Sequence, residues 1–151
     1  MAITSAICNS FKQEILQGKH DFTNGTGNAF KIALIKAQSA QAGTYGASTT
    51  NYTDVTGNSD ELANGSGYTT GGNTLVQVTP TLDGSTAVCD FANTSWSSAT
   101  FTTRGCIIYD TSDSNSAVMV LDFGADYSVS NGTFTIEFPT ADASNAIIRI
   151  S

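Results

Sequence analysis

His20 is the only imidazole in the chain, so any base-activated serine or cysteine nucleophile would have to depend on it. No Gly-x-Ser-x-Gly elbow accompanies it. Placed beside Lys19 just past a helical stretch, it is expected to serve as a cation at the helix's C-terminal dipole rather than as a catalytic base. Cys8, Cys89 and Cys106 lack CxxC spacing and a histidine cluster, and they read as buried thiols of a reducing compartment. A Cys89–Cys106 disulfide is the alternative, if neighbouring strands carry the two. Apolar flanks disfavour a thiolate at both, so neither is expected to be reactive. Asp90, Asp122 and Glu137 could supply the paired carboxylates of glycoside chemistry, but they fit outward-facing strand positions as easily. Two acidic clusters, Asp54, Asn58, Asp60 and Glu61, and separately Asp110, Asp113 and Asn115, offer the hard oxygens calcium prefers. Neither has EF-hand spacing, and turn-forming Asp and Asn account for both, so no metal and no cofactor is expected.

The tract ELANGSGYTTGGNTL, residues 61–75, carries Gly65, Gly67, Gly71 and Gly72 and runs into an apolar stretch. A phosphate cradle needs a strand before it and a helix after it, so that backbone N–H groups and the helix dipole converge on the anion. Here the following segment reads as strand, no Gly-Lys-Ser/Thr occurs, and acidic neighbours would repel phosphate. A glycine-rich turn feeding a strand is the expectation.

The elements that must position these residues change period once. Ile3, Ile7, Phe11 and Ile15 recur every four residues and predict an amphipathic helix over 1–18, ended near Gly18. FKIALIK (30–36) reads as a strand. The 37–73 tract, rich in Gly, Ser, Thr and Asn, is long for a connection and is expected to be an extended loop. Short β-branched and aromatic runs then follow at 74–82, 86–91, 104–110, 117–123, 133–139 and 146–150. Asp83-Gly84 and Asn131-Gly132 are the strongest turn signals, since both dipeptides tolerate positive φ. The expected fold is a single mainly β domain over 1–151: an antiparallel sandwich or jelly roll with one N-terminal helix.

A chain of 151 residues can bury roughly two thirds of its unfolded surface, so a core without staples is feasible. Charged residues make up only 13%, well under the roughly 25% usual for soluble domains. The net charge of −7 disfavours nucleic acid as a partner. Positive charge gathers at Lys12, Lys19, Lys31 and Lys36, and none follows until Arg104. That asymmetry could orient the protein on a partner, although ordinary surface solvation accounts for it. MAITSAICNSF has neither the basic start nor the apolar length of a signal peptide, and no run reaches membrane-spanning length, so no membrane association is expected. The five Asn-x-Ser/Thr sites, at Asn24, Asn51, Asn64, Asn93 and Asn131, are then turn and strand composition rather than glycan acceptors.

With chemistry disfavoured, longer blocks become the guide. SAICNSFKQEILQGKHDF, ELANGSGYTTGGNTL, FANTSWSSATFTTRGCIIYD and FTIEFPTADASNAIIRI resemble successive blocks of a family of small virion structural proteins of tailed bacteriophages, over almost the whole chain. In that family a Gly-Tyr-x-x-Gly-Gly block, here Gly67, Tyr68, Gly71 and Gly72, precedes a strand. The tract 37–60 is longer here than the family pattern. The resemblance implies a capsid decoration, or cement, protein: a homotrimer on the capsid exterior of the virion, made in the bacterial cytoplasm, that clamps neighbouring major capsid protein subunits. On this reading the helix and the 37–73 loop reach those subunits. Ile7, Phe11, Tyr45, Tyr52 and Tyr68 are then candidate interface side chains, because aromatic anchors dominate interface centres. Coverage of the domain's own core is the alternative for the same residues. A tail, baseplate or fibre component would use the same β domain. A carbohydrate-binding module would instead stack an exposed Trp96 and the tyrosines on sugars, and an enzyme degrading host polysaccharide is more distant still.

Overall fold

A computed structural model describes residues 2–151, in which eight strands and two short α-helices are laid out in a mainly antiparallel β architecture. In chain order they are β1 (Ala6–Ile7), α1 (Asn9–Leu16), β2 (Phe30–Lys36), α2 (Thr53–Gly57), β3 (Asn73–Thr74), β4 (Gln77–Asp83), β5 (Thr86–Phe91), β6 (Thr94–Asp110), β7 (Ser116–Ile136) and β8 (Ile148–Ile150). One sheet has five strands in the order β1-β7-β6-β2-β3, and the other has three in the order β4-β5-β8. Phe22 stacks on Phe30 of β2 at 4.4 Å, and Phe30 meets Phe91 of β5 at 5.7 Å, so aromatic rings join the two sheets through one core.

The central strands follow directly from their composition. FKIALIK has no polar alternation between its lysines, which suits a strand covered on both faces. Ile32, Ala33, Leu34 and Ile35 are accordingly sealed from solvent. They pair with Ile108, Ile107, Cys106 and Gly105 of β6. At the β4–β5 turn, Asp83 faces Thr86 with Gly84 at φ +60°, the hairpin that Asp-Gly predicts.

Several expectations are corrected. The helix does not span 1–18. Ala6 and Ile7 lie on the edge of β7 opposite Val120 and Met119, and the Cys8 amide donates to the Val118 carbonyl at 3.0 Å. A spacing of four keeps side chains on one face of a helix and equally on one face of a strand, so the pattern could not distinguish the two. The unpaired edge of β7 decides it. The helix end near Gly18 stands: Gly18 at φ +71° lets its amide reach the Ile15 carbonyl and the Lys19 amide reach that of Glu14, both at 3.1 Å.

The expected strands 117–123 and 133–139 are one strand, β7, and Asn131-Gly132 is not a turn. Ala99 faces Gly132 while Phe101 faces Val129, so one extra residue of β7 bulges out there, with Asn131 at φ +47° and its amide held by Thr100 Oγ1 at 2.9 Å. The positive φ that the dipeptide permits is spent on a kink within a paired strand. The far halves of β6 and β7 consequently run on as a two-stranded ribbon.

Cys89 and Cys106 lie on different sheets, and all three cysteines are buried and free. Burial pushes the Cys8 and Cys89 thiols up to about 12 and Cys106 higher still, which keeps them protonated. Trp96 is buried, 4% exposed, between Tyr68 and Phe134, so it offers no sugar platform. Asp90 points inward rather than outward: Phe91 N donates to Oδ1 at 2.9 Å, and Ile147 N approaches Oδ2 at 3.4 Å.

Candidate functional site

Two adjacent carboxylates, Asp60 and Glu61, determine where the 37–73 tract lies. Asp60 Oδ2 accepts the Tyr45 hydroxyl at 2.5 Å and the Gly43 amide at 2.7 Å, while Ala42 N donates to Oδ1 at 2.9 Å. Glu61 takes the Tyr52 hydroxyl on Oε2 at 2.5 Å, and the Tyr68 hydroxyl and Gly71 amide on Oε1 at 2.7 and 2.6 Å. Backbone bonds from Lys36 N to Asp60 O and from Leu62 N to Leu34 O stitch the same residues along β2. Burial would raise the Asp60 carboxyl, yet these donors hold it below its ordinary value; burial, and then the facing carboxylates, push the three tyrosines up.

The tract is therefore a clasp folded back on the sheet, and this corrects the expectation that it reaches outward with tyrosine anchors. Tyr45 and Tyr68 are buried, Tyr52 is half-buried and stacks on Tyr109 at 4.3 Å, Phe11 is buried, and Ile7 is half-buried in β1. All five cover the chain's own core. The glycine block is a turn, as expected. Gly72, at φ +73°, lies so close to β2 that a Cβ would fall 1.8 Å from the Ile32 carbonyl oxygen.

The first acidic cluster is likewise engaged internally. Asp54 Oδ2 accepts Thr50 N at 2.8 Å, and Asn58 Nδ2 donates to the Asp54 carbonyl. Asp122 takes Arg104 Nε at 2.7 Å and Gly124 N at 3.0 Å, and the guanidinium holds its carboxyl below the usual range. Glu137 is exposed, past the end of β7.

His20 departs most from expectation. It is not a dipole cation at the surface. Its side chain is fully buried, with Nδ1 2.8 Å from Asp110 Oδ2 and Nε2 3.0 Å from Glu14 Oε2. Phe11 and Phe30 flank the ring at 5.0 and 6.5 Å. Burial pushes its pKa down, but the hydrogen bonds to Asp110 and Glu14 outweigh it and hold the ring above its ordinary value. Asp110 Oδ1 accepts the Ser112 amide at 2.8 Å, and its Oδ2 takes Asn28 Nδ2 at 2.6 Å. Asp113 stands at the open side, 4.0 Å from Lys19 Nζ. The pairing of residues 90 apart left no local signal; only the solitary imidazole marked the place.

What the fold leaves unfilled is apolar surface. On the small sheet Leu82 faces Ala87 and Ala87 faces Ile150, so the three form one row across β4, β5 and β8. Leu82 is 74% exposed, Ile150 60%, and Leu16 at the end of α1 89%. A groove of about 450 Å³ lies there, its lining mainly apolar (Ile15, Phe22, Ala87 and Ile150 among others) with Asp21 and His20 at one part of it. A second groove, of about 420 Å³, runs along the ribbon past Leu121, Phe123, Tyr127, Phe134 and Ile136, with Asp122 and Glu137 also in its lining. The two share no lining residue. Among the described residues no helix is long and apolar enough to cross a membrane. No protein-family model, curated protein or solved structure matches the chain.

Proposed function

We propose that this chain is a capsid decoration protein of a tailed bacteriophage, acting by shape and buried contact. It forms homotrimers on the outside of the major capsid protein lattice and bridges neighbouring subunits. The observation that carries the reading is the pair of separate apolar surfaces on one fold. A bridging protein needs one surface for its own copies and another for the shell, and here they are the Leu82–Ala87–Ile150 row with Leu16, and the ribbon groove around Phe123 and Tyr127. The block resemblance to small phage virion proteins supports the same reading. A standard interface buries roughly 1,600 Å² in total, and repetition over a closed lattice multiplies a modest contact. The internal commitment of the clasp tyrosines fits a preformed body that docks with little ordering cost.

Catalysis does not enter this reading. Asp122 is held as a carboxylate by Arg104 and is therefore unsuited to the general-acid role of glycoside chemistry.

Quantitative mass spectrometry of purified virions tests the proposal. Hundreds of copies per particle, and heads that rupture at lower temperature when the chain is absent, are the expected result. Tens of copies or fewer would assign it to the tail, baseplate or fibre. A saturable glycan-array signal lost in Tyr127→Ala would favour sugar binding instead, since Tyr127, 51% exposed beside Phe123, is the open aromatic of that groove.

A further inference from the structure

We propose that Glu14, His20 and Asp113 form a binding site for one divalent transition-metal ion of zinc-like preference. One ligand atom from each residue lies within 4.8 Å of the other two. Donors about 2.0–2.2 Å from a shared tetrahedral zinc stand about 3.3–3.6 Å from one another, so the Glu14–His20 contact, now 3.0 Å, opens slightly and Asp113 swings in to close the site.

The surroundings match what such a site needs. Asp110, fully buried, engages His20 Nδ1 at 2.8 Å and thereby turns Nε2 toward Glu14 and Asp113. A carboxylate behind the far ring nitrogen is the arrangement that fixes the tautomer and direction of metal-ligating histidines. Asp110 is itself held by Asn28 and the Ser112 amide, so it orients the ligand and is not one. The Glu14 and Asp113 side chains are 16% and 27% exposed, which gives the ion access and leaves room for a water to complete four-coordination. Ser116 Oγ donates to Asp113 Oδ2 at 3.0 Å and steadies that ligand. The facing cation is Lys19, whose side chain is 45% exposed and free to swing away.

The donor set selects the metal. Calcium and magnesium prefer all-oxygen shells, whereas an imidazole nitrogen with two carboxylates suits zinc and its first-row neighbours. The fold thus sets Asp113 beside a nitrogen donor.

Calorimetric titration of the tag-free 151-residue chain with zinc chloride near neutral pH tests the site, with cobalt(II) as the spectroscopic probe. One saturable equivalent is expected, with visible d–d bands for cobalt and no competition from magnesium or calcium. Because Glu14 and Asp113 are partly exposed, the double variant Glu14→Gln/Asp113→Asn should keep its circular dichroism while its zinc affinity falls by at least about tenfold. The three thiols are buried and do not compete in the folded chain. Absence of saturable zinc uptake would mean that a proton alone fills the Glu14–His20 contact, and equal affinity in the double variant would mean adventitious surface binding. Either result overturns the proposal.

Discussion

The Tyr68 hydroxyl donates to Glu61 Oε1 across 2.7 Å and accepts the Leu34 amide at 3.1 Å, so one oxygen ties the glycine block and the clasp carboxylate to the central strand. Tyr68→Phe removes both bonds and leaves the Leu34 N–H buried without that partner. A buried donor left unsatisfied costs about 1–3 kcal/mol, and that loss of stability is expected in urea denaturation. Tyr52→Phe, at a half-buried position, should cost less. A Tyr68→Phe change within about 0.5 kcal/mol of the parent would show that Glu61 does not hold the tract in place.

Gly72 and Gly84 separate two reasons for glycine. Both have positive φ, +73° and +60°, but a Cβ on Gly72 would meet the Ile32 carbonyl at 1.8 Å, whereas one on Gly84 meets nothing within 4 Å. Gly84→Ala should lose about 1–2 kcal/mol, the cost of the left-handed backbone alone. Gly72→Ala must also push β3 away from β2, and we expect insoluble protein or a loss above about 4 kcal/mol. Similar denaturation midpoints for the two variants would contradict the close approach.

Asp60 and Asp90 should give pH responses of opposite sign. Burial tends to raise Asp60, but its donors win and its folded pKa lies below the ordinary 3.8. It therefore contributes stability that is present above the unfolded pKa and lost as pH falls through the folded one. Burial dominates at Asp90 and raises it, so its charged form penalises the native state increasingly as pH rises through the folded pKa. Between about pH 3 and pH 7, the stability difference from the parent should grow more unfavourable for Asp60→Asn and more favourable for Asp90→Asn. Parallel trends, read from urea curves across that range, would refute the assignment.

Much of the β character was legible because β-branched runs and turn dipeptides report local physics. The strand over 30–36 and the hairpin at Asp83-Gly84 needed nothing beyond their own residues. The errors came where a local pattern has two solutions. A period of four at Ile3, Ile7 and Phe11 satisfies a strand edge as well as a helix, and Asn131-Gly132 serves a bulge as well as a turn. Long-range electrostatics were invisible. Nothing near His20 announces Asp110, and Tyr45, Tyr52 and Tyr68 looked like free anchors because their partners Asp60 and Glu61 resembled turn acids.

The row Leu82–Ala87–Ile150 is where self-association is expected to be most sensitive. These side chains lie opposite one another across three strands, and Leu82 and Ile150 are mostly in water, so replacing them costs the isolated fold little. Glutamates at both positions would carry two unpaired charges into any contact formed there, at about 1–3 kcal/mol or more apiece. Each 1.4 kcal/mol is about tenfold in affinity, so Leu82→Glu/Ile150→Glu should weaken association at least about thirtyfold while leaving the thermal midpoint within a few degrees of the parent. Sedimentation velocity across a concentration series reads this directly, as a shift from the proposed trimer to monomer, and a parent chain that is monomeric at every concentration would count against the trimer itself. If the double variant assembles as the parent does, the copies meet elsewhere, and the ribbon groove around Phe123 and Tyr127 becomes the surface to charge next.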